Sequence, residues 1–574
     1  MDKKTVAALL EELGVLLEIK GESVFKTLAY TKAARALLAE PGELEEIIKR
    51  TDLKGIKGIG ESIRLKIIEI YETGRLPYLE QIKDSIPAGL IQMMRVPGLG
   101  PRKAKAIYDE LGVASIGELL YACNENRLAG LPGFGLKTQE KIIKGIALLQ
   151  KHADQYLYSF AEAESKKLLW PLLKSGRAIR AEVAGSIRRK KEVVKDIDII
   201  ASSDDPPSLM EAFCSNPEVE TVVAKGDTKS SVTLKSGIAA DLRVVEDWQY
   251  PYALHHFTGS ALHNTRMRGR AKRIDLKMNE YGLFRGEAEE LVPCATEEEI
   301  FRALGLDFIP PELREDTGEV EAAETGGLPR LVEEGDLNGV FHIHSRYSDG
   351  KDDISELADA AYRRGYKYIG ITDHSKTAAY AGGLKPEDII KQQSDIDACN
   401  LTYEDFRIFK GAEVDILPDG SLDYDEDTLR GFDFTVCSIH SKFRMTEEEA
   451  TARVIKAIEN PHCTILGHPT GRLLLSREGY PLNMRKVIEA AAANGVAIEL
   501  NAHPQRLDID WREMRYAKEL RVKISINPDA HNLAGFEDMR YGVGIARKGW
   551  LEAGDVLNAL SLEAVEDYLV KRKR

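Results

Sequence analysis

Residues 185–200 run Gly185-Ser186-Ile187-Arg188-Arg189, six further residues, then Asp196-Ile197-Asp198-Ile199-Ile200. The Asp/Ile alternation has the period of a β-strand, which puts Asp196 and Asp198 on one face and the isoleucines on the other. Two carboxylates held that close repel each other, and a divalent cation between them relieves the repulsion. Asp241, in the later strand-like run 239–245, is available as a third oxygen ligand. Gly185 and Ser186 offer a backbone N–H and a hydroxyl to a polyphosphate, and Arg189 adds neutralising charge. A D-x-D pair alone is commonly a solvated strand face. The Gly-Ser turn before it and the aspartate after it point instead to in-line phosphoryl transfer.

Outward from this stretch, short β-branched runs between about Arg177 and Val245 predict a compact mixed sheet over 151–248. Residues 249–310 return to helical spacing, with a basic cluster at Arg266, Arg268, Arg270, Lys272 and Arg273. Residues 311–338 are acidic, Pro/Gly-rich and poor in large apolar residues, and read as a linker. From 339 to 574, strand-like and helical segments alternate as in a parallel α/β domain or barrel.

A chain of 574 residues is far too long for a single small binding module. With 43% hydrophobic and 30% charged residues it has the balance of a soluble globular protein, and no apolar run approaches a membrane span. The amino-terminal segment reads as an amphipathic helix, not a secretory signal. Six dispersed cysteines without a C-x-x-C pair fit reduced thiols and a cytoplasmic setting. The net charge of −14 is unevenly placed: residues 1–310 hold 45 Lys+Arg against 45 Asp+Glu, and 311–574 hold 34 against 48. Such asymmetry predicts two units with different partners.

The first 150 residues are read as all-helical, and one motif recurs there: Ile56-Lys57-Gly58-Ile59-Gly60, Val96-Pro97-Gly98-Leu99-Gly100 and Leu131-Pro132-Gly133-Phe134-Gly135. Each precedes a helix. The glycine pairs permit a tight turn and close backbone approach, and the helix start supplies unpaired N–H groups, which suits a phosphate. Three copies argue for a sugar-phosphate backbone held without sequence reading. They resemble helix-hairpin-helix DNA-binding motifs.

The C-terminal unit places nine candidate metal ligands near strand ends: His342, His344, Asp349, His374, Glu413, His440, His468, Asp529 and His531. The i, i+2 pairs His342/His344 and Asp529/His531 are expected to share strand faces, and a parallel barrel gathers strand ends at one rim. Imidazoles mixed with carboxylates suit zinc, manganese or iron. Lys442, Arg444 and Arg472 are candidates to hold a substrate phosphate.

Residues 1–310 resemble a family X DNA polymerase of the DNA polymerase beta type. The resemblance runs from residues 25–37 through the first two glycine turns, the 185–200 stretch and 239–245 to His256-Phe257-Thr258-Gly259-Ser260. It implies that Asp196, Asp198 and Asp241 are catalytic and bind two magnesium ions, and that Gly185, Ser186 and Arg189 hold the incoming triphosphate. It also implies that Phe257 and Gly259 flank its sugar, and that Asn264 and Arg268 meet the base or template. His256 stands where the family carries a tyrosine. Lys66 aligns with the family's Schiff-base lysine and Lys26 with its 5′-phosphate lysine, whereas Ser62 replaces a neighbouring basic residue.

The C-terminal unit resembles a polymerase-and-histidinol-phosphatase (PHP) domain, a distorted seven-stranded barrel with up to three metal ions. That resemblance implies one metal on His342, His344, Glu413 and Asp529, a second on Glu413, His440 and His468, and a third on Asp349, His374 and His531. The whole is then a multidomain α+β and α/β protein. Its expected parts are an N-terminal helical domain (1–85), a second helix-hairpin-helix domain (86–150), a nucleotidyltransferase palm (151–248), a thumb (249–310), the linker (311–338) and the PHP domain (339–574).

The expected activity is template-directed gap filling on gapped or nicked duplex DNA with deoxynucleoside triphosphates, joined to a 3′–5′ exonuclease in base excision repair. Abasic-site cleavage is a possible addition, and the expected state is a monomer. The alternative is a template-independent nucleotidyltransferase with a small-molecule phosphatase, a reading that leaves the glycine turns and the 266–273 cluster without a purpose. A non-enzymatic DNA-end scaffold would not need both ligand sets.

Overall fold

The computed structural model describes residues 3–40, 44–94, 96, 98–150 and 155–572. Pro97, in the second glycine motif, lies outside them. The chain divides into two compact units, Met1–Leu149 and Gln150–Arg574.

In the first unit, the helix Lys3–Ile19 buries Val6, Leu10, Leu13 and Leu17 along one stripe. Residues from Val6 to Ile146 join a single hydrophobic core. The three glycine turns share one geometry. Ile59, Leu99 and Phe134 each donate a backbone hydrogen bond three residues back, at 3.1, 3.0 and 3.0 Å. Gly58, Gly98 and Gly133 take φ of +104°, +87° and +83°, a region that favours glycine. Gly60 and Gly100 then cap the helices Glu61–Thr73 and Pro101–Leu111 without any side-chain bond, and Gly135 precedes the helix Leu136–Gln150. Leu99 and Phe134 are buried and all six glycines are exposed. Each turn is therefore anchored by its middle residue and presents bare backbone outward.

The second unit opens with a five-stranded sheet: β1 (Arg180–Val183), β2 (Asp196–Ser202), β3 (Val219–Lys225), β4 (Lys229–Leu234) and β5 (Ala239–Val245), in spatial order β1-β2-β5-β4-β3. Only the β2–β5 pair is parallel. Its register sets Asp198 opposite Asp241.

Seven parallel strands follow in sequence order: β6 (Gly339–Ile343), β7 (Tyr368–Ile371), β8 (Arg407–Asp415), β9 (Phe434–Ser438), β10 (Ile465–Leu466), β11 (Ala497–Asn501) and β12 (Ile524–Asn527). Phe341, Tyr368, Phe409 and Phe434 fill one end as an aromatic cluster. Gly370 and Gly411 leave room for the Phe434 ring, since a Cβ at either would lie 2.3–2.4 Å from it. The barrel closes just beyond the strands, where the His344 N–H donates to the Ala530 carbonyl (2.9 Å) and the Ala530 N–H to the His342 carbonyl (3.2 Å).

Residues 311–338 correct the linker expectation. They contain the short turn Pro311–Leu313 and the helix Glu319–Thr325, and Leu313, Val320 and Ala323 enter the same core as Ile300 and Phe301. Composition misleads here because, besides these few apolar side chains, the segment buries paired charge. Arg314 has no exposed side-chain surface and bonds the Ile309 carbonyl (2.8 Å) and Glu297 (2.5 Å). Glu319 accepts from His263 Nδ1 (2.7 Å) and from the Asp316 and Thr317 N–H groups. Pairing of this kind compensates the burial of charge, while Arg314 Nη2 and His263 Nε2 stay buried without a hydrogen-bond partner.

Two candidate metal centres in one chain

The first centre sits on the β2–β5 pair. Gly185 begins the one-turn helix Gly185–Arg188 at φ +61°, and a Cβ there would stand 2.3 Å from Asp198 Oδ2. The missing side chain is thus what lets the turn close over the carboxylate. Burial, with Asp196 and Asp241 adding repulsion, pushes the Asp198 carboxyl up to about 6. Asp241 is ion-paired with Lys229 at 2.6 Å. An all-oxygen set strained by its own charge fits a hard divalent cation such as magnesium.

The second centre lies at the rim of the seven-stranded barrel, and barrel closure assembles it. The bonds between Ala530 and the His342/His344 backbone bring residues 342–344 against 529–531. His342 Nε2 is then 3.3 Å from Glu413 Oε1 and 3.4 Å from Asp529 Oδ1, and His344 Nε2 is 3.3 Å from Asp529 Oδ1. His440 and His468 reach Glu413 Oε1 at 3.2 and 3.0 Å, and His374 reaches Glu413 Oε2 at 2.9 Å. Asp349 faces His374 (3.5 Å) and His531 (3.3 Å).

All nine candidate ligands fall into ion-sized groups: His342/Glu413/His468, His342/His344/Asp529, His374/Glu413/His440 and His344/Asp349/His374/His531. Glu413 belongs to two of them. His342, His344 and His374 each belong to two as well, so the partition is less clean than the resemblance implies. The equal-face argument for His342 and His344 also fails in detail. Pairing of β6 with β7 shifts register between Val340 and Ile343, and His342 adopts φ +57° and Asp529 φ +54°. A bulge re-aims these side chains, not simple alternation.

The donor chemistry fits metal ions. Both ring nitrogens of His344 and Nε2 of His342 are buried with no hydrogen-bond partner, a costly state that coordination would relieve. Burial, reinforced by His531 and His374, pushes the His344 imidazole down to about 3, so it is the neutral, ligating form. The carboxylates of Asp349, Glu413 and Asp529 are held well below their usual range, where surrounding imidazoles outweigh burial.

Family comparisons match a helix-hairpin-helix domain at residues 1–76, a SAM-like helix-hairpin-helix tandem at 90–147, a DNA polymerase beta thumb at 253–315 and a PHP domain at 341–503. A protein of Bacillus subtilis (strain 168) named DNA polymerase/3'-5' exonuclease PolX is 40% identical over 571 residues, 99% of either chain. The chain belongs to the family X DNA polymerases that carry a PHP domain. A probable phosphatase of Thermoanaerobacter sp. (strain X514) is 30% identical over 242 residues, covering 38% of this chain and 89% of that protein. Another, from Caldanaerobacter subterraneus subsp. tengcongensis, is 31% identical over 242 residues, 38% and 86% of the two chains.

Within this family X frame several of the expected site residues have partners inside the protein. Arg189 is buried and bonded through Nη1 to the Thr258 carbonyl (2.8 Å) and through Nε to Glu315 (3.1 Å), and its own carbonyl accepts from Lys548 (3.1 Å). It braces the Gly185 turn instead of offering a free guanidinium. Asn264 donates to the His256 carbonyl (2.7 Å), and Gly259 is required beside it, since a Cβ there would lie 2.4 Å from Asn264 Oδ1. Phe257 lies under Arg243, 4.4 Å from guanidinium to ring centre, and Arg268 is exposed. Arg472 is tied to Asp510 (2.8 Å) and the Arg506 carbonyl (3.0 Å), not free for a substrate phosphate. In the helical unit, Lys66 bonds Ser62 Oγ (3.3 Å) and lies over the Tyr78 ring, and Lys26 pairs with Glu22 (2.8 Å).

The PHP centre also has an outer shell that the sequence reading did not single out. Glu499 accepts from His342 Nδ1 (2.6 Å) and the His468 N–H (2.7 Å), and Asp415 accepts from His440 Nδ1 (2.5 Å). Each leaves Nε2 of its imidazole facing Glu413. Asp415 ends a strand-like run and Glu499 lies inside one, the only signal for them in the sequence.

Proposed function

We propose that this chain is a template-directed, gap-filling DNA polymerase joined to a metal-dependent 3′–5′ exonuclease, working in base excision repair. What supports the reading is a mixed imidazole-carboxylate group at the barrel rim together with a second acidic cluster of different chemistry, in which Asp198 pairs in register with Asp241 beside the Gly-Ser turn. The full-length similarity to a polymerase/exonuclease supports it.

At the first site Asp196, Asp198 and Asp241 would hold magnesium ions. Gly185 and Ser186 cradle the triphosphate, and Phe257, Gly259, Asn264 and Arg268 line the nucleotide and template side. The primer 3′ oxygen bonds to the α-phosphorus, the α–β bridging bond breaks with its electron pair on pyrophosphate, and the hydroxyl proton passes to water. At the second site the nine ligands would hold up to three zinc or manganese ions, and there water displaces the 3′-terminal nucleotide. Bound cations supply charge neutralisation at both sites and acidify the attacking water at the second. The exposed glycine turns at 58–60, 98–100 and 133–135, with Lys26 and Lys66, grip the DNA backbone. Cleavage at abasic sites is within the reach of the same PHP ligands.

The test is a 5′-labelled primer on a one-nucleotide-gapped duplex with magnesium or manganese. Asp198→Ala abolishes extension and keeps primer shortening, and His344→Ala does the reverse. Hydrolysis of a small phosphomonoester that depends on His344, with neither activity on DNA, would replace this reading with that of a metabolic phosphatase.

A further inference from the structure

Lys548 ends the helix Met539–Lys548, which follows the last barrel strand, and its side chain has no exposed surface. Its ammonium carries three N–H groups and has three oxygens in reach: the Arg189 carbonyl (3.1 Å), the Glu312 carbonyl (3.3 Å) and Glu315 Oε1 (2.7 Å). The Trp511 ring centre lies 4.8 Å from the same nitrogen. A methionine of similar length would fill this space without the desolvation that a buried ammonium costs. What the charge adds is direction, since bonds to three separate oxygens fix where those oxygens stand.

Two of these partners lead to the carboxylate centre. Arg189 caps the one-turn helix Gly185–Arg188, and its N–H donates to the Gly185 carbonyl (3.3 Å). Glu315 Oε1 also accepts from Arg189 Nε (3.1 Å), so arginine and lysine share one carboxylate oxygen. Arg189 is therefore held at both its carbonyl and its guanidinium. The face of the helix that carries Lys548 also carries Arg540, Tyr541 and Arg547. Arg540 reaches Glu162 (3.4 Å), Tyr541 meets the Tyr158 ring edge-on at 5.7 Å, and Arg547 bonds Glu312 (2.8 Å). On the opposite face, Gly542 is pressed against the barrel, where a Cβ would lie 2.6 Å from the Ala502 and Ile526 side chains. One helix is thus wedged between the barrel and the segment that supports the Gly185 turn.

We propose that Lys548 is a positioning residue for nucleotide addition: acting through Arg189 and Glu315, it fixes the Gly185 turn over Asp198, so that a helix of the barrel sets the geometry of the other centre. The inference rests on the polymerase reading of that centre. Lys548 touches neither nucleotide nor metal ligand, and its effect passes through the backbone. A Cβ at Gly185 would already stand 2.3 Å from Asp198 Oδ2, so the turn and the carboxylate have no slack between them. A turn released from Arg189 shifts Asp198, and small displacements of a reacting group are costly in rate.

The full-length protein is assayed for primer extension on a one-nucleotide gap with magnesium, and for 3′-end removal on the same preparation. Lys548→Met removes the ammonium and leaves the bond between Arg189 and Glu315 in place. Its maximal extension rate at saturating nucleotide falls roughly tenfold or more, while KM for the gapped DNA and the rate of 3′-end removal are unchanged. Glu315→Gln, which keeps both cations and the side-chain volume, shows the same split. The split separates positioning from folding: Lys548 stands on a helix packed against barrel strands, so a purely structural lesion there reaches the barrel's own centre first. Extension at the unmodified rate in both variants overturns the proposal. So does a parallel loss of extension and 3′-end removal in both, which would leave Lys548 a folding residue only. Failure of the polymerase reading is separately visible, as no extension by the unmodified protein or as extension that survives Asp198→Ala, and the proposal falls with it.

Discussion

His342 Nδ1 and Glu499 lie 2.6 Å apart, and neither side chain has any exposed surface. The same carboxylate accepts from the His468 N–H (2.7 Å) and Asn527 Nδ2 (2.9 Å). One residue of β11 thus sets the tautomer of a ligand on β6 and the backbone of a ligand after β10. Outer partners of this kind fix ring orientation and raise ligand basicity.

Glu499→Gln keeps the volume and removes the charge. Metal affinity at the PHP centre is expected to fall about 10–100-fold, read as metal retained after dialysis against a graded chelator, with primer extension unaltered. Retention equal to that of the unmodified protein would remove Glu499 from this role.

Gly185→Ala forces a methyl group to within 2.3 Å of Asp198 Oδ2 at a backbone φ of +61°. Displacing Asp198 by even about 1 Å should slow primer extension roughly 100-fold or more. Exonuclease activity should be untouched, because the barrel rim shares no strand with this turn. Single-turnover extension and 3′-end removal on the same preparation check both halves.

Asp198, raised to about 6 chiefly by burial and then by Asp196 and Asp241, gives the first centre a pH signature. Magnesium must displace a proton below that value, so apparent magnesium affinity should decline as pH falls through about 6 and be flat above it. Stability has the matching sign. The unfolded carboxyl ionises near 3.8, so the metal-free native state loses stability as pH rises from there through about 6, a cost of about 3 kcal/mol. Asp198→Asn should therefore stabilise the metal-free protein at pH 8 and not at pH 4, which thermal unfolding at the two values measures.

Glu297 shows the opposite case. Burial raises its pKa, but Arg314 and Arg188 reverse the effect and bring it to about 2, against a model-peptide value of 4.5. Its contribution is complete above pH 4.5 and is lost as pH falls towards 2. Glu297→Gln leaves the fully buried Arg314 unpaired and should cost about 3–5 kcal/mol at pH 7. The difference in urea midpoint from the unmodified protein should shrink on acidification.

Much of the site was legible before folding, because its chemistry resides in short motifs. Asp196-Ile197-Asp198 announces a carboxylate pair by strand period, and the three glycine turns recur with one geometry because only glycine accepts their positive φ without strain. The order of strands and helices from 339 onward likewise predicted a parallel barrel, since βα alternation leaves few other topologies. The segment 311–338 was misread because composition measures hydrocarbon and not charge pairing: Arg314 and Glu319 are buried through bonds to Glu297 and His263.

By itself, then, the sequence marked which side chains are candidates for the chemistry and roughly which strands hold them, because period and turn propensity act over a few residues. The tertiary structure alone decided which of those groups meet. His342 finds Glu499 across 157 residues, Arg189 finds Glu315 across 126, and Lys548 reaches the Arg189 carbonyl across 359. Such pairs are set by strand register and by barrel closure at Ala530. Those depend on the summed burial of the whole core, and no local pattern encodes them.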